Sequence, residues 1–145
     1  MLKRINYISS FVKDMSEVEI VNLASQAAKK NAENDITGVL MAKGGDFFQI
    51  IEGPEDNIDR LFTNILKDPR HEKVITLCIQ TGDLKRLFPN WHMKEINLDT
   101  TTSERLQPVR AIIDAVHAQS AIIEALTEAL AASAWAELLD LTTQD

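Results

Sequence analysis

Apolar and polar positions alternate with a period of two over residues 3–9, so that Ile5 and Tyr7 share a face and a first strand is predicted there. Ser16-Glu-Val-Glu19 has the spacing of a capping box and opens a helix, in which Ile20, Leu23, Ala24, Ala27 and Ala28 recur at helical intervals. Residues 36–42 and 46–52 are two β-favouring apolar runs joined by Lys43-Gly44-Gly45, the pattern of a hairpin. Gly53-Pro54 ends the second run and starts a helix over residues 55–67, with Pro54 at a tolerated first-turn position and Ile58, Leu61, Phe62, Ile65 and Leu66 along one side. A fourth strand is expected over residues 73–80 and, after a turn at Gly82, a fifth over residues 91–98.

The order βαββαββ predicts an α+β fold, a ferredoxin-like and mostly antiparallel sheet with two helices on one face. The second, third and fourth strands are apolar on both faces, which implies that both sides of the sheet are covered. Two helices shield only one side, and the rest of the chain is expected to shield the other. There Leu106, Val109, Ile113, Val116, Ile123, Leu126, Leu130, Leu138 and Leu141 mark helical faces, read as two helices with a break near Gln119-Ser120. The chain thus divides into a domain of residues 1–98 and a C-terminal helical extension of residues 99–145, packed on the sheet or available to another copy or a partner.

Charge follows the same division. Residues 1–99 hold 13 basic and 15 acidic side chains, residues 100–145 hold 2 and 7, and the whole carries −7. With no basic block or stripe, nucleic acid is not an expected partner. The single cysteine, Cys78, allows no internal disulfide and no metal site that pairs cysteines, which suits a reducing cytoplasm. Neither a signal-peptide core nor a bilayer-length apolar run is present, so no membrane association is expected.

Gln49 stands among Phe47, Phe48, Ile50 and Ile51, in a strand that is otherwise apolar. A buried amide without partners costs about 1–3 kcal/mol, so either backbone groups or a ligand must satisfy it. Its mixed donors and acceptor suit a planar ligand of the same character. Asn31 continues the inward face of the first helix, four residues after Ala27, and is open to two readings, a C-terminal cap or a ligand contact. On a ferredoxin-like sheet the first and third strands are neighbours, so Tyr7, Gln49 and Asn31 can converge on one pocket. A phenol and two amides can hydrogen-bond a flat heteroaromatic ring, and none is a strong nucleophile or a general base near neutral pH.

Arg4-Ile-Asn-Tyr-Ile-Ser9, Asn31 before Ile36-Thr-Gly-Val-Leu40, Phe47-Phe-Gln-Ile-Ile-Glu-Gly53, Asp68-Pro-Arg-His71 and Phe88-Pro-Asn-Trp-His-Met93 occur in this order with consistent spacing. Through them residues 2 to about 98 resemble the BLUF family, the blue-light sensors that use flavin, and in particular the short BLUF photoreceptors. The resemblance implies a flavin between the helices of residues 17–33 and 55–67, over the sheet. FAD is the expected form, with FMN or riboflavin as alternatives. It implies Tyr7, Asn31, Gln49, Asp68, Arg70 and His71 as cofactor-binding residues, with Asn31 on the polar edge of the pyrimidine ring and Gln49 between Tyr7 and the ring. Tyr7 and Gln49 would be photoactive, passing an electron and a proton from the phenol and leaving the amide rotated or tautomerised. Trp91 and Met93 would carry that change to the far face of the sheet, although either could equally be an ordinary core side chain. Lys30 stands where the family often has Asn or His.

On this reading the chain is a photoreceptor and not an enzyme. Its expected partners are the flavin, a second copy of itself in a dimer or larger homo-oligomer, and a downstream signalling protein that responds to the C-terminal helices. A light-insensitive ferredoxin-like binding or assembly module is the alternative. An acylphosphatase-like enzyme is disfavoured, because Ser9-Ser-Phe-Val-Lys13 offers no anion-cradling loop. His92 and His117 are read as structural or surface residues, and Trp135 as an anchor of the last helix or of a subunit contact.

Overall fold

The structure, a computed structural model, describes residues 1–143. It comprises two compact units, Met1–Leu106 and Gln107–Asp145. The first unit runs β1 (Leu2–Phe11), α1 (Glu17–Glu33), β2 (Thr37–Lys43), β3 (Asp46–Pro54), α2 (Glu55–Lys67), β4 (His71–Gly82) and β5 (Lys94–Asn97), followed by a short 3-10 turn. These form one sheet in the order β4-β1-β3-β2-β5, antiparallel except where β5 lies parallel to β2.

Local chemistry accounts for the element ends. Ser16 Oγ accepts from the Glu19 amide at 3.2 Å and Glu19 Oε1 accepts from the Ser16 amide at 3.4 Å, closing the capping box that starts α1. Glu17 and Glu19 also place negative charge at the positive end of the helix dipole. Gly44 and Gly45 take φ of 53° and 87°, the left-handed values that a two-residue hairpin turn needs to match the twist of β2 and β3. Gly38 is required for a different reason: a Cβ there would overlap the Ile50 carbonyl oxygen on β3.

One face of the sheet buries Ile5, Tyr7, Leu40, Phe47 and Ile51 against Ile20 and Ala24 of α1 and Ile58 of α2. The period-two alternation of β1 and β3 and the helical stripes meet in this core, which sets the floor of the site.

Three expectations are corrected. The fifth strand covers only Lys94–Asn97, so Trp91 and Met93 precede it. The hydrogen-bonding groups of residues 91–92 are taken by α1 and by the start of β2 instead of a strand ladder. The fourth strand is not covered on both faces: β4 is an edge strand whose Leu77 and Ile79 are 37% and 54% exposed, and Cys78 is exposed as well. The C-terminal unit forms one continuous helix, α3 (Gln107–Thr143), instead of two, because Gln119 and Ser120 are both compatible with a helix interior and Pro108 lies in its first turn. No helix among the described residues is long and apolar enough to cross a membrane.

Candidate functional site

A cleft of about 240 Å³ opens between α1 and α2 above the sheet. Buried side chains form its floor: Tyr7 from β1, Leu40 from β2, Gln49 and Ile51 from β3, Asn31 from α1, and Met93. The rim is polar and exposed, with Gln26 and Lys30 one helical turn apart on α1, Asn64 on α2, and Arg70 beyond it.

Tyr7 and Gln49 are direct partners in the β1–β3 ladder, so both side chains rise from the same face at the same level. The Tyr7 hydroxyl donates to Gln49 Oε1. Tyr7 has no exposed surface, and burial pushes its phenol well above the usual range, so it remains a protonated donor. Phe62 of α2 packs edge-on against its ring, centroids 5.4 Å apart.

With Oε1 bonded to Tyr7, the Gln49 amide nitrogen has no acceptor among the described residues, yet it is not a sealed, unsatisfied atom. It therefore opens on the cleft. Asn31 presents the complementary group. Its Nδ2 donates to the His92 carbonyl at 2.7 Å, which leaves Oδ1 as an acceptor at the floor. The capping alternative for Asn31 does not hold, since α1 continues to Glu33 and Asn34 forms the cap. An amide donor beside an amide acceptor fits a ring edge that alternates acceptor and donor. The pyrimidine edge of a flavin, with O4 and N5 as acceptors and N3–H as donor, has this pattern.

At one end of the cleft Asp68, Arg70 and His71 form a cluster. The Arg70 guanidinium chelates the Asp68 carboxylate, with Nε to both oxygens at 3.0–3.1 Å and a second nitrogen at 2.6 Å. These bonds hold the Asp68 pKa down at about 2. His71 Nδ1 lies 3.1 Å from Ser9 Oγ and its ring packs on Phe11, and burial lowers its pKa, so at neutral pH it is an uncharged imidazole. Lys30 has no ion pair among the described residues and is the cation of the rim that no carboxylate engages.

The sequence-predicted residues Tyr7, Asn31, Gln49, Asp68, Arg70, His71 and Met93 all line this one cleft. Trp91 does not. It is 47% exposed and stacks on Phe88 with centroids 6.4 Å apart. Gln26 and Asn64 were not anticipated. Their signal was helical spacing, four residues before Lys30 and four before Asp68.

The BLUF family, described as sensors of blue-light using FAD, matches residues 2–94. Among curated proteins, the photoactivated adenylate cyclase subunit beta of Euglena longa is 35% identical over 106 residues, 70% of this chain and 12% of that protein. The blue light- and temperature-regulated antirepressor BluF of Escherichia coli is 33% identical over 86 residues, 59% of this chain and 21% of that protein. The chain thus spans about an eighth of the cyclase subunit and a fifth of the antirepressor. Among solved structures, a bacterial light-regulated adenylyl cyclase superposes with a TM-score of 0.76 at 35% identity, over 86% of this chain and 36% of the cyclase. The BLUF protein BlrB in its dark state gives 0.62 at 31% identity, over 68% and 74% of the two chains.

Proposed function

The chain belongs to the BLUF family of blue-light sensors that use FAD, and from that membership we propose that its cleft binds the flavin as FAD and works as a reversible hydrogen-bond switch without enzymatic turnover. The observation that carries this reading is the buried Tyr7–Gln49 hydrogen bond whose amide nitrogen opens on the same floor as Asn31. Gln49 and Asn31 would hold the polar ring edge. Leu40, Ile51, Ile65 and Met93 supply apolar walls, and the Asp68–Arg70–His71 cluster closes one end.

When bound, a flavin supplies an absorber of blue light whose excited state accepts an electron. Tyr7 would be the electron donor, and its hydroxyl proton would move along the bond to Gln49 Oε1 as the phenol ring lost its electron. Burial makes the deprotonated phenol costly by itself, so the hydroxyl proton would not leave ahead of the electron. Gln49 would exchange donor and acceptor either by turning about its last torsion or by keeping the proton on its oxygen while a proton from its nitrogen leaves and the phenol is made whole. The result would be a changed hydrogen bond at the ring edge, with the phenol restored and the amide rotated or tautomerised.

Met93 borders the cleft and is placed to feel a turn of Gln49, whereas Trp91 does not line the cleft. The proposed output is protein contact through the C-terminal helix. Ile122, Ile123, Leu126, Leu130, Leu138 and Leu141 of α3 are each more than half exposed, a surface suited to a second copy of the chain or to a signalling partner. The cyclase and antirepressor activities of the relatives belong to those proteins.

Visible spectra before and after blue illumination test the reading. The wild type is expected to show a small red shift that reverses in darkness. Gln49→Leu should keep the yellow chromophore and lose the shift, and Tyr7→Phe should lose the proton donor and with it the photocycle. A normal photocycle in Gln49→Leu would reject the switch, and a chain that takes up no flavin would reject the photosensor.

A further inference from the structure

On the sheet face opposite Tyr7 and Gln49, Arg4 and Glu52 are also direct partners in the β1–β3 ladder. Glu52 is fully buried and Arg4 is 6% exposed, with Nε donating to Oε2 at 2.9 Å. A pair this deep is tolerated only when its remaining donors and acceptors are satisfied. The segment of residues 83–93 between β4 and β5 supplies most of what is needed. The Leu87 amide donates to Glu52 Oε2 at 3.0 Å and the Phe88 amide to Oε1 at 2.6 Å. Arg4 in turn donates to the Lys85 carbonyl at 2.6 Å and to Gln80 Oε1 at 2.8 Å. Arg86 fastens the same segment to the start of β2 through Thr37 Oγ1 at 3.0 Å and the Asp35 carbonyl at 2.8 Å.

Four residues beyond Phe88 the segment reaches the cleft. The His92 carbonyl accepts from Asn31 Nδ2, and Met93 completes the floor. The intervening Pro89-Asn90-Trp91 has little slack, because proline fixes its own φ and restricts Phe88 before it. Trp91 is further tied by its carbonyl to the Gly38 amide at 2.9 Å, and the His92 ring to the Ile36 carbonyl at 2.8 Å.

We propose that Arg4 and Glu52 are positioning residues for the cleft: by gripping the Leu87 and Phe88 amides from the opposite face of the sheet, Glu52 sets where the His92 carbonyl stands and so which way the Asn31 amide points. The inference rests on the flavin-sensor reading for its consequence in the photocycle, but its geometry does not depend on that reading. A fully buried carboxylate on the outer face thereby controls a hydrogen bond at the flavin edge, and an event on either face is felt on the other.

Two variants test this, with circular dichroism to establish folding. Glu52→Gln keeps the shape and removes the charge. Leu87→Pro keeps both charges but replaces one gripped N–H with a ring carbon that pushes Glu52 Oε2 away, at a position whose side chain is 59% exposed. In flavin-free protein, Glu52→Gln is expected to speed exchange of the Phe88 amide by about ten-fold or more, the loss of a bond to a charged acceptor. Both variants should move the side-chain amide resonance of Asn31. In flavin-loaded protein both should alter the dark recovery time of the red-shifted state by about three-fold or more. A freed Phe88 amide with an unmoved Asn31 resonance and an unchanged recovery time would make the pair a loop anchor only and overturn the proposal, as would a Phe88 amide that is no freer in Glu52→Gln. If Glu52→Gln fails to fold, Leu87→Pro decides the question alone. A shifted Asn31 resonance in a chain that takes up no flavin supports the positioning role while rejecting the photosensor reading, so the two can fail separately.

Discussion

The Tyr7–Gln49 bond can be measured through a double-mutant cycle on the flavin-free protein. Gln49→Leu removes the only acceptor that the Tyr7 hydroxyl has among the described residues and leaves that hydroxyl in a site with no exposed surface. The penalty for an orphaned buried donor is about 1–3 kcal/mol, reduced somewhat by the added apolar burial of leucine. Tyr7→Phe is milder, about 1 kcal/mol, because Gln49 borders the cleft and its freed oxygen can reach water. In the double variant neither group is left unpaired, and replacing both partners by apolar groups is close to neutral. The double variant should therefore be more stable than the sum of the singles predicts, with a coupling of about 2–3 kcal/mol, well above the roughly 0.3–0.5 kcal/mol scatter of independent sites. Urea unfolding of the four proteins, read as midpoint at constant slope, gives the cycle directly. Additivity within that scatter would mean that the phenol and the amide do not share a buried bond, and the proposed switch would lose its starting geometry.

Gly38→Ala should cost about 3 kcal/mol or more, because the added carbon meets backbone of β3 and not a flexible side chain. Gly44→Ala, with nothing within 4 Å but a φ of 53°, should cost about 1–2 kcal/mol; thermal melting that ranks the two the other way would refute the packing argument. For pH, burial lowers the folded-state pKa of His71, so the unfolded chain takes up that proton first. Stability should then fall as pH drops below about 6.5, and His71→Gln should flatten this dependence in unfolding measured between pH 7.5 and 5. Asp68 adds a second loss of stability on acidification, in a lower pH window. Its pKa, held at about 2 by Arg70, stabilises the fold above the ordinary carboxylate range and loses that effect as pH falls from about 4 toward 2. With Arg70 largely exposed, Asp68→Asn should cost about 1 kcal/mol at pH 7 and nothing near pH 2, measured by thermal unfolding across that range.

What could be read from the chain alone was set by local rules. Ser16 and Glu19 name the start of α1 because a capping box is a contact three residues apart, and Gly44-Gly45 names the hairpin because only left-handed residues turn it. Gln49 and Asn31 stood out because each is a polar interruption in an apolar stripe, and their spacing within the family motifs identified the cleft. The tertiary structure decided what periodicity cannot carry. Whether β4 lies at an edge depends on pairing with β1, which is remote from it in sequence, and an edge strand can be as apolar as a central one while remaining exposed. Trp91 and Met93, two residues apart, would share a face in a strand. Once hydrogen bonds to α1 and β2 hold residues 91–92 out of the ladder, one side chain points to solvent and the other to the cleft. The Arg4–Glu52 pair was equally hidden, since two charges 48 residues apart reveal their partnership only when register sets them opposite each other. Sequence determines which groups an element offers and on which side; only the folding of distant segments against one another determines which of those groups meet.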